Sequence, residues 1–230
     1  MIKLEIEHSQ NGGRRLNKQS SFFNRRLHSL LGVIPVGFFL IEHLYTNYSA
    51  TQGADKFVES VESLWGIPFL LALEIFFIFL PLLYHGIYGL YIAFQAKNNI
   101  GEYGTFRNVL FMFQRVTGVI TLVFIGWHVW ETRIQVALSN LDASDLAVLT
   151  SNLLQNPVVL TLYFIGVISA VFHFSNGMWS FFVSWGITVG PRAQLISTWV
   201  WGFVFIIVSY LGISALLAFS NPDFIQQLAQ

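Results

Sequence analysis

Four of the six histidines lie deep within long apolar segments of the sequence: His43, His85, His128 and His173. An ionisable side chain is costly in hydrocarbon, so histidines at such depth usually face a bundle interior and have a partner or a function. The absence of cysteine excludes disulfides, covalently attached heme and cysteine-ligated iron–sulfur clusters. Histidine is the commonest remaining ligand for a noncovalent heme. The four histidines are therefore candidate heme ligands, with a proton relay or interhelical hydrogen bonds as the alternatives.

Five apolar segments are long enough to cross a hydrocarbon core of about 30 Å as helices. Hydrophobic residues make up 54% of the 230-residue chain and charged residues only 10%, which favours lipid as the main surroundings. We predict an all-α integral membrane bundle of five transmembrane helices. A polar, basic segment at 1–26 precedes this domain at 27–219, and a short tail follows at 220–230. The predicted helices are Leu27 to Tyr48, Ile67 to Phe94, Val109 to Trp130, Val158 to Trp185, and Ile196 to Phe219.

The basic residues flank these segments unequally, and Lys and Arg in short flanks are retained on the cytoplasmic side of a membrane. Ten of the twelve lie on the same side as the amino terminus, and only Lys56 and Arg133 lie on the other. We therefore predict a cytoplasmic amino terminus and a carboxyl-terminal tail outside. Acidic and basic residues are equal in number, so no overall charge suggests a nucleic-acid partner.

Depth along the alternating helices sorts the four histidines into two pairs. His43 and His128 lie toward the outer ends of their helices, whereas His85 and His173 lie nearer the cytoplasm. Each pair joins two helices, which suits two hemes that each take one histidine on either face. A proton relay explains the paired depths less well. Glycines that would admit a porphyrin face lie nearby, at Gly86, Gly89, Gly126 and Gly177.

Several other polar residues are candidates for contacts around such a site. His28 begins the first helix at the inner rim, with no histidine partner at its depth, and is a candidate for contact with a heme propionate or for interfacial solvation. Glu42 and Glu74 lie in the outer half as candidate proton carriers to a quinone; an ion pair or snorkelling is the alternative. Three candidate propionate donors, or helix-to-helix hydrogen-bond donors, are Arg115, Ser175 and Asn176.

Four stretches carry a family resemblance: RRLHSLLGVIPVGFFLIEHL, LPLLYHGIYGLYIAFQAKNN, QRVTGVITLVFIGWHVWETR and VFHFSNGMWSF. They resemble the cytochrome b-558 membrane subunits of Bacillus-type succinate dehydrogenases, which are similar to di-heme fumarate reductase membrane subunits. The resemblance implies two noncovalent, bis-histidine hemes b, an outer one on His43 and His128 and an inner one on His85 and His173. The segment from Tyr45 to Trp65 departs most from the family pattern.

The same resemblance implies a place in a respiratory complex of the bacterial cytoplasmic membrane. The chain would anchor an FAD-containing flavoprotein and an iron–sulfur subunit on the cytoplasmic side and pass electrons to menaquinone, in a complex that is a candidate for higher oligomerisation. Dicarboxylate chemistry would reside on the partner subunits. The direction of reaction stays open. A di-heme cytochrome of formate dehydrogenase or hydrogenase is the alternative within the same chemistry, and a proton channel or pure anchor without heme is the alternative outside it.

Overall fold

The computed structural model describes residues 21–96 and 99–226 of the chain. Within these ranges every regular element is helical, and five helices are long and apolar enough to cross a membrane. The predicted all-α bundle of five spanning helices is confirmed. Residues 1–20, which are most of the predicted amino-terminal segment, lie outside the described residues. The spanning helices are α1 (Ser21–Gln52), α3 (Leu70–Gln95), α4 (Phe106–Ser139), α6 (Pro157–Ser184) and α7 (Pro191–Phe219), with α2 (Ala54–Trp65) and α5 (Ala143–Leu154) in the connections.

The helix ends differ from the predicted ones where the backbone departs from α geometry. α1 begins at Ser21 instead of Leu27. α3 begins only at Leu70, because Phe69 has a φ of 59° and cannot continue a right-handed helix. α4 continues past Trp130 to Ser139 through a π-helical turn at Trp130–Ile134. A second π-helical segment, Glu74–Phe79, lies in the amino-terminal part of α3.

Side chains cap the starts of three helices and so fix where each begins. Thr105 accepts a hydrogen bond of 3.3 Å from an N–H in the first turn of α4, and Asn156 accepts one of 3.0 Å at the start of α6. Asp142 forms a capping box with Asp145 at the start of α5. The pKa of Asp142 lies below its usual value, because its carboxylate accepts hydrogen bonds from the Ser144 hydroxyl and the Asp145 N–H.

α6 is the central helix of the bundle, packed between α4 and α7, and α7 also packs along α1. Helices in lipid gain little from the hydrophobic effect and associate through close van der Waals packing, which small residues permit. Three glycines of this bundle have their α-carbon so close to a neighbouring side chain that an added Cβ would overlap it. These contacts are Gly37 with Phe174, Gly166 with Phe124, and Gly212 with Val167.

The two connecting helices, which the sequence analysis did not predict, form a cap over one end of the bundle. α2 and α5 pack against each other and against the end of α7, and they bury an apolar cluster that includes Phe57, Leu154 and Phe219. The Ser151 hydroxyl of α5 donates a buried hydrogen bond of 2.8 Å to the carbonyl of Phe219. The cap is on the side that the charge distribution predicts to be outer.

One face of α7 is an exposed apolar surface. Trp199, Phe203, Ile206 and Tyr210 follow one another at helical spacing and are 59–74% exposed. In water a surface of this kind promotes aggregation, whereas lipid tails are as apolar as these side chains and can cover it. The exposed aromatic and aliphatic faces of the bundle are therefore those of a multi-pass membrane protein.

The predicted orientation can be tested with single cysteines, because the chain has none of its own. Glu62 lies in the cap and Glu102 in the connection between α3 and α4, and both are exposed. We expect Glu62→Cys to react with a membrane-impermeant maleimide on intact cells and Glu102→Cys to react only after lysis. Val123→Cys, at a lipid-facing position that is 69% exposed, serves as the unreactive control. The reverse labelling pattern would place the amino terminus outside.

Candidate histidine-pair site

The structure brings the four deep histidines together as the two pairs that depth predicts. The ring centres of His43 and His128 are 5.7 Å apart, with the ring planes at 68°. Those of His85 and His173 are 6.0 Å apart, at 84°. One pair joins α1 to α4, and the other joins α3 to α6. Both pairs lie inside the bundle, one above the other along its axis.

Backbone carbonyls on neighbouring helices orient the inner pair. The Nδ1 of His85 lies 2.9 Å from the carbonyl oxygen of His28, and the Nδ1 of His173 lies 3.0 Å from that of Gln114. A carbonyl can only accept, so the two carbonyl contacts favour the tautomer with the proton on Nδ1 and the acceptor nitrogen at Nε2. The amide nitrogen of Gln114 also lies 3.2 Å from the Nδ1 of His173. Gln114 donates to the carbonyl of His173 at 2.9 Å and accepts from Asn176 at 2.7 Å, which braces the inner pair further.

The outer pair has side-chain partners instead. The Nδ1 of His128 lies 3.3 Å from the hydroxyl of Tyr163, a buried residue whose ring packs edge-on against Trp127. The amide nitrogen of Asn47 lies 3.5 Å from both ring nitrogens of His43, at the limit of a hydrogen bond, and donates at 2.7 Å to the carbonyl of that residue. The contacts to the ring nitrogens of the outer pair, at 3.3 and 3.5 Å, are longer than the contacts of 2.9 and 3.0 Å between the inner rings and their carbonyls.

His28 is not isolated at its depth, and that prediction is wrong. Its ring stacks on the ring of His85 with centres 4.1 Å apart and planes at 6°. The error comes from the helix start: α1 begins at Ser21, so His28 lies almost two turns inside the helix and not at its first turn. The Nε2 of His28 is buried near Gly89 and has no hydrogen-bond partner in the described part of the chain.

The remaining predicted donors contribute unequally to the inner pair. Asn176 reaches it through Gln114, as described above. Ser175 is buried, and its hydroxyl has no hydrogen-bond partner among the described residues. Arg115 is half-buried and forms no ion pair within the described ranges. Glu42 is exposed and accepts a hydrogen bond of 2.6 Å from Thr46 on its own helix.

The role of the four predicted glycines in admitting a porphyrin stays a prediction, and none of the four faces a ring of the two histidine pairs. Gly89 faces His28, and for Gly126 nothing lies within 4 Å of an added Cβ. The glycines that do face inner-pair rings are Gly32, against His85, and Gly118, against His173. Both stand four residues after a residue whose carbonyl meets the same ring, a relation that the sequence alone does not show. The other two face side chains, Gly86 that of Leu122 and Gly177 that of Gln114.

Glu74 forms an ion pair with Arg133 of a neighbouring helix, which is one of the alternatives raised for it. Arg133 donates from Nη2 at 2.7 Å and from Nε at 3.0 and 3.2 Å to the two carboxylate oxygens. Each residue lies in a π-helical segment, so the pair joins the two places where α3 and α4 depart from α geometry. Charged residues inside a membrane commonly pair in this way. The ion pair ties α3 to α4 near the outer histidines.

The ring separations of the two pairs suit a bis-histidine heme. Two imidazoles on opposite faces of one metal ion have ring centres about 6 Å apart, given metal–nitrogen bonds of about 2 Å, and the observed separations are 5.7 and 6.0 Å. The described residues contain no group of three or more histidine, aspartate or glutamate side chains that could hold a bare metal ion. Each pair thus offers two nitrogen ligands, which is the number that six-coordinate porphyrin iron takes from a protein.

The ion pair between Glu74 and Arg133 should contribute measurably to stability. Their side chains are 13% and 34% exposed, so Arg133→Gln leaves a largely buried carboxylate unpaired. We expect a loss of about 1–3 kcal/mol in the free energy of unfolding, measured by titration with sodium dodecyl sulfate. Lys56→Gln is the control, because it breaks an exposed pair with Glu59 and should cost about 0.5 kcal/mol or less. Equal losses in the two variants would contradict a stabilising role.

Comparisons with known proteins agree with this architecture. A sequence profile for the transmembrane subunit of succinate dehydrogenase and fumarate reductase matches residues 96–212. The succinate dehydrogenase cytochrome b558 subunit of Bacillus subtilis (strain 168) is 55% identical over 198 residues, which cover 86% of this chain and 96% of that protein. No solved structure matches the chain. The chain therefore belongs to the family of succinate dehydrogenase/fumarate reductase transmembrane subunits.

Proposed function

We propose that this chain is the di-heme membrane anchor of a succinate:menaquinone oxidoreductase, the respiratory complex II of its organism. The observation that carries the proposal is the presence of two histidine pairs at two depths, with ring separations that suit bis-histidine iron. The Bacillus subtilis relative is by name a succinate dehydrogenase cytochrome b558 subunit, which supports heme b as the cofactor.

Each pair would hold one heme b, His43 and His128 the outer one and His85 and His173 the inner one. When bound, heme iron accepts and donates single electrons, and two hemes stacked along the bundle shorten each transfer across the membrane. The chain supplies the axial nitrogens, apolar helices around them and hydrogen-bond partners for the rings. Proteins adjust a heme potential through these features. Burial within the bundle keeps water from the ring nitrogens.

The catalytic partners would be an FAD-containing flavoprotein and an iron–sulfur subunit on the cytoplasmic side, where the dicarboxylate is oxidised. At the predicted inner end, Arg107 lies over the ring of Trp179, 3.6 Å from its centre, and donates to Thr198. Arg26 lies 5.0 Å from the centre of the Trp185 ring. Cation–π contacts of this kind hold the arginines in place at the helix ends. They support a rigid, positively charged surface for anchoring the partners.

Menaquinone would react near the outer pair, where reduction takes up two electrons and two protons. Glu42 is the better candidate for passing on protons, because it is exposed one residue before His43. Glu74 lies close by but is bound to Arg133, which suits a structural role. Within this family fumarate reductase uses the reverse direction, and the same residues would then carry electrons from menaquinol inward.

Heme content and ligation are the direct tests of this proposal. The experiment is a pyridine hemochrome assay with quantified protein on the purified complex, combined with low-temperature electron spin resonance of the oxidised form. We expect two hemes b per chain, both low-spin with bis-histidine signals. An intact complex without heme would rule out electron transfer through this chain, and the histidine pairs would then be read as a proton relay or as interhelical contacts in a pure anchor.

Loss of an outer ligand should separate the two half-reactions. In His128→Ala, succinate oxidation with an artificial acceptor should persist, because that chemistry resides on the partners, while menaquinone reduction should be abolished. His43→Ala should behave alike. The matched control is Val123→Ala, on the same helix at a lipid-facing position that is 69% exposed, and it should retain both activities. Normal menaquinone reduction in either histidine variant would refute the proposed route.

A further inference from the structure

The two inner histidines are held by the same arrangement on two different helices. On α1, the carbonyl of His28 meets the Nδ1 of His85, and Gly32 stands four residues further along. On α4, the carbonyl of Gln114 meets the Nδ1 of His173, and Gly118 again stands four residues further along. In both cases the glycine faces the ring that the carbonyl binds.

The spacing of four has a geometric reason. In an α-helix the carbonyl of residue i points along the axis toward residue i+4, whose N–H it accepts, and both residues lie on one face. The second lone pair of that carbonyl can accept another donor only if the donor passes the side chain at i+4. A Cβ on Gly118 would lie 2.8 Å from Cε1 of His173, and one on Gly32 would overlap the ring of His85. Glycine is therefore the residue that lets each ring reach the carbonyl.

The outer pair lacks this arrangement. The Nδ1 of His128 has a side-chain hydroxyl as its partner, and the nearest ring partner of His43, Asn47, is on the same helix. Gly126, two residues before His128 in sequence, has nothing within 4 Å of an added Cβ. Both inner rings thus meet backbone carbonyls of neighbouring helices, with the Gln114 amide also beside the ring of His173, whereas the ring contacts of the outer pair are to side chains.

We propose that the pairs His28 carbonyl with Gly32 and Gln114 carbonyl with Gly118 form two carbonyl–glycine sockets, which position the inner histidines for the cofactor. Each socket holds the proton on Nδ1, fixes the plane of the ring and leaves Nε2 as the ligand nitrogen. A hydrogen bond from Nδ1 to a carbonyl also makes the ligand nitrogen more basic. The part of this inference that concerns the cofactor rests on the proposed function, and the steric part does not.

The first experiment compares Gly32→Ala and Gly118→Ala with Gly202→Ala, whose added Cβ would have open space around it. In the purified complex we expect Gly118→Ala to shift the spin-resonance signal and midpoint potential of the inner heme and to leave the outer heme unchanged. Gly32→Ala should lower heme content from two per chain to one. The control should match the wild-type protein. Unaltered inner-heme signals in both socket variants, with two hemes bound to the wild type, would overturn the inference and leave the proposed function standing.

The second experiment tests the sockets without reference to heme, and so also covers variants that fail to assemble. An alanine at position 32 would meet the ring of His85 before any other group. We therefore expect Gly32→Ala to reduce the amount and thermal stability of the full chain in membranes, and to cause no further loss when His85→Ala has already removed the ring. Equal losses from Gly32→Ala in the two backgrounds would show that no such steric contact exists. A wild-type complex without heme would instead refute the proposed function, and this cycle would still decide the steric claim.

Discussion

A neutral imidazole carries one N–H donor and one acceptor nitrogen, and hydrocarbon supplies a partner for neither. This chain places four such rings within a bundle of five spanning helices, so each ring must find its partners on the helices themselves. Carbonyls of α1 and α4 serve the Nδ1 atoms of His85 and His173, and the hydroxyl of Tyr163 serves His128. Glycines at Gly32 and Gly118 let the inner rings approach the helices that supply these carbonyls.

The two histidine pairs find their hydrogen-bond partners in different chemical groups. At the inner pair both rings meet backbone carbonyls, which cannot change rotamer or ionise, and the Gln114 amide adds a side-chain contact to His173. At the outer pair they are a phenol and an amide, next to an ion pair between Glu74 and Arg133 and beneath a cap of two short helices. Under the proposed function, the more rigid site would lie toward the protein partners and the more adjustable site toward the diffusing quinone. The difference is one of chemistry, since the ring separations of the two pairs are similar.

The sequence predicts well how far along its helix each residue lies, and it predicts poorly which neighbouring helix a side chain faces. Apolar length and alternating helix direction are enough to predict five helices and to pair His43 with His128, because distance along a helix is proportional to depth. Which side chains face one another depends on how each helix is rotated about its axis, and periodicity is weak when lipid and protein faces are both apolar. The partners Gln114, Tyr163 and Arg133 were missed for this reason. A start of α1 misplaced by about two turns was sufficient to put His28 at the rim instead of beside the inner pair.

The π-helical turn at Trp130–Ile134 constrains the number of residues in α4 as well as their types. A π turn contains one residue more than an α turn, so the same sequence folded as a regular α-helix would rotate everything beyond the turn by about 100° relative to His128. Arg133 would then turn away from Glu74, and the connection to the cap would begin on another side of the bundle. Over evolutionary time, this stretch should therefore accept exchanges of one side chain for another more readily than an insertion, because a further residue would need a second π turn.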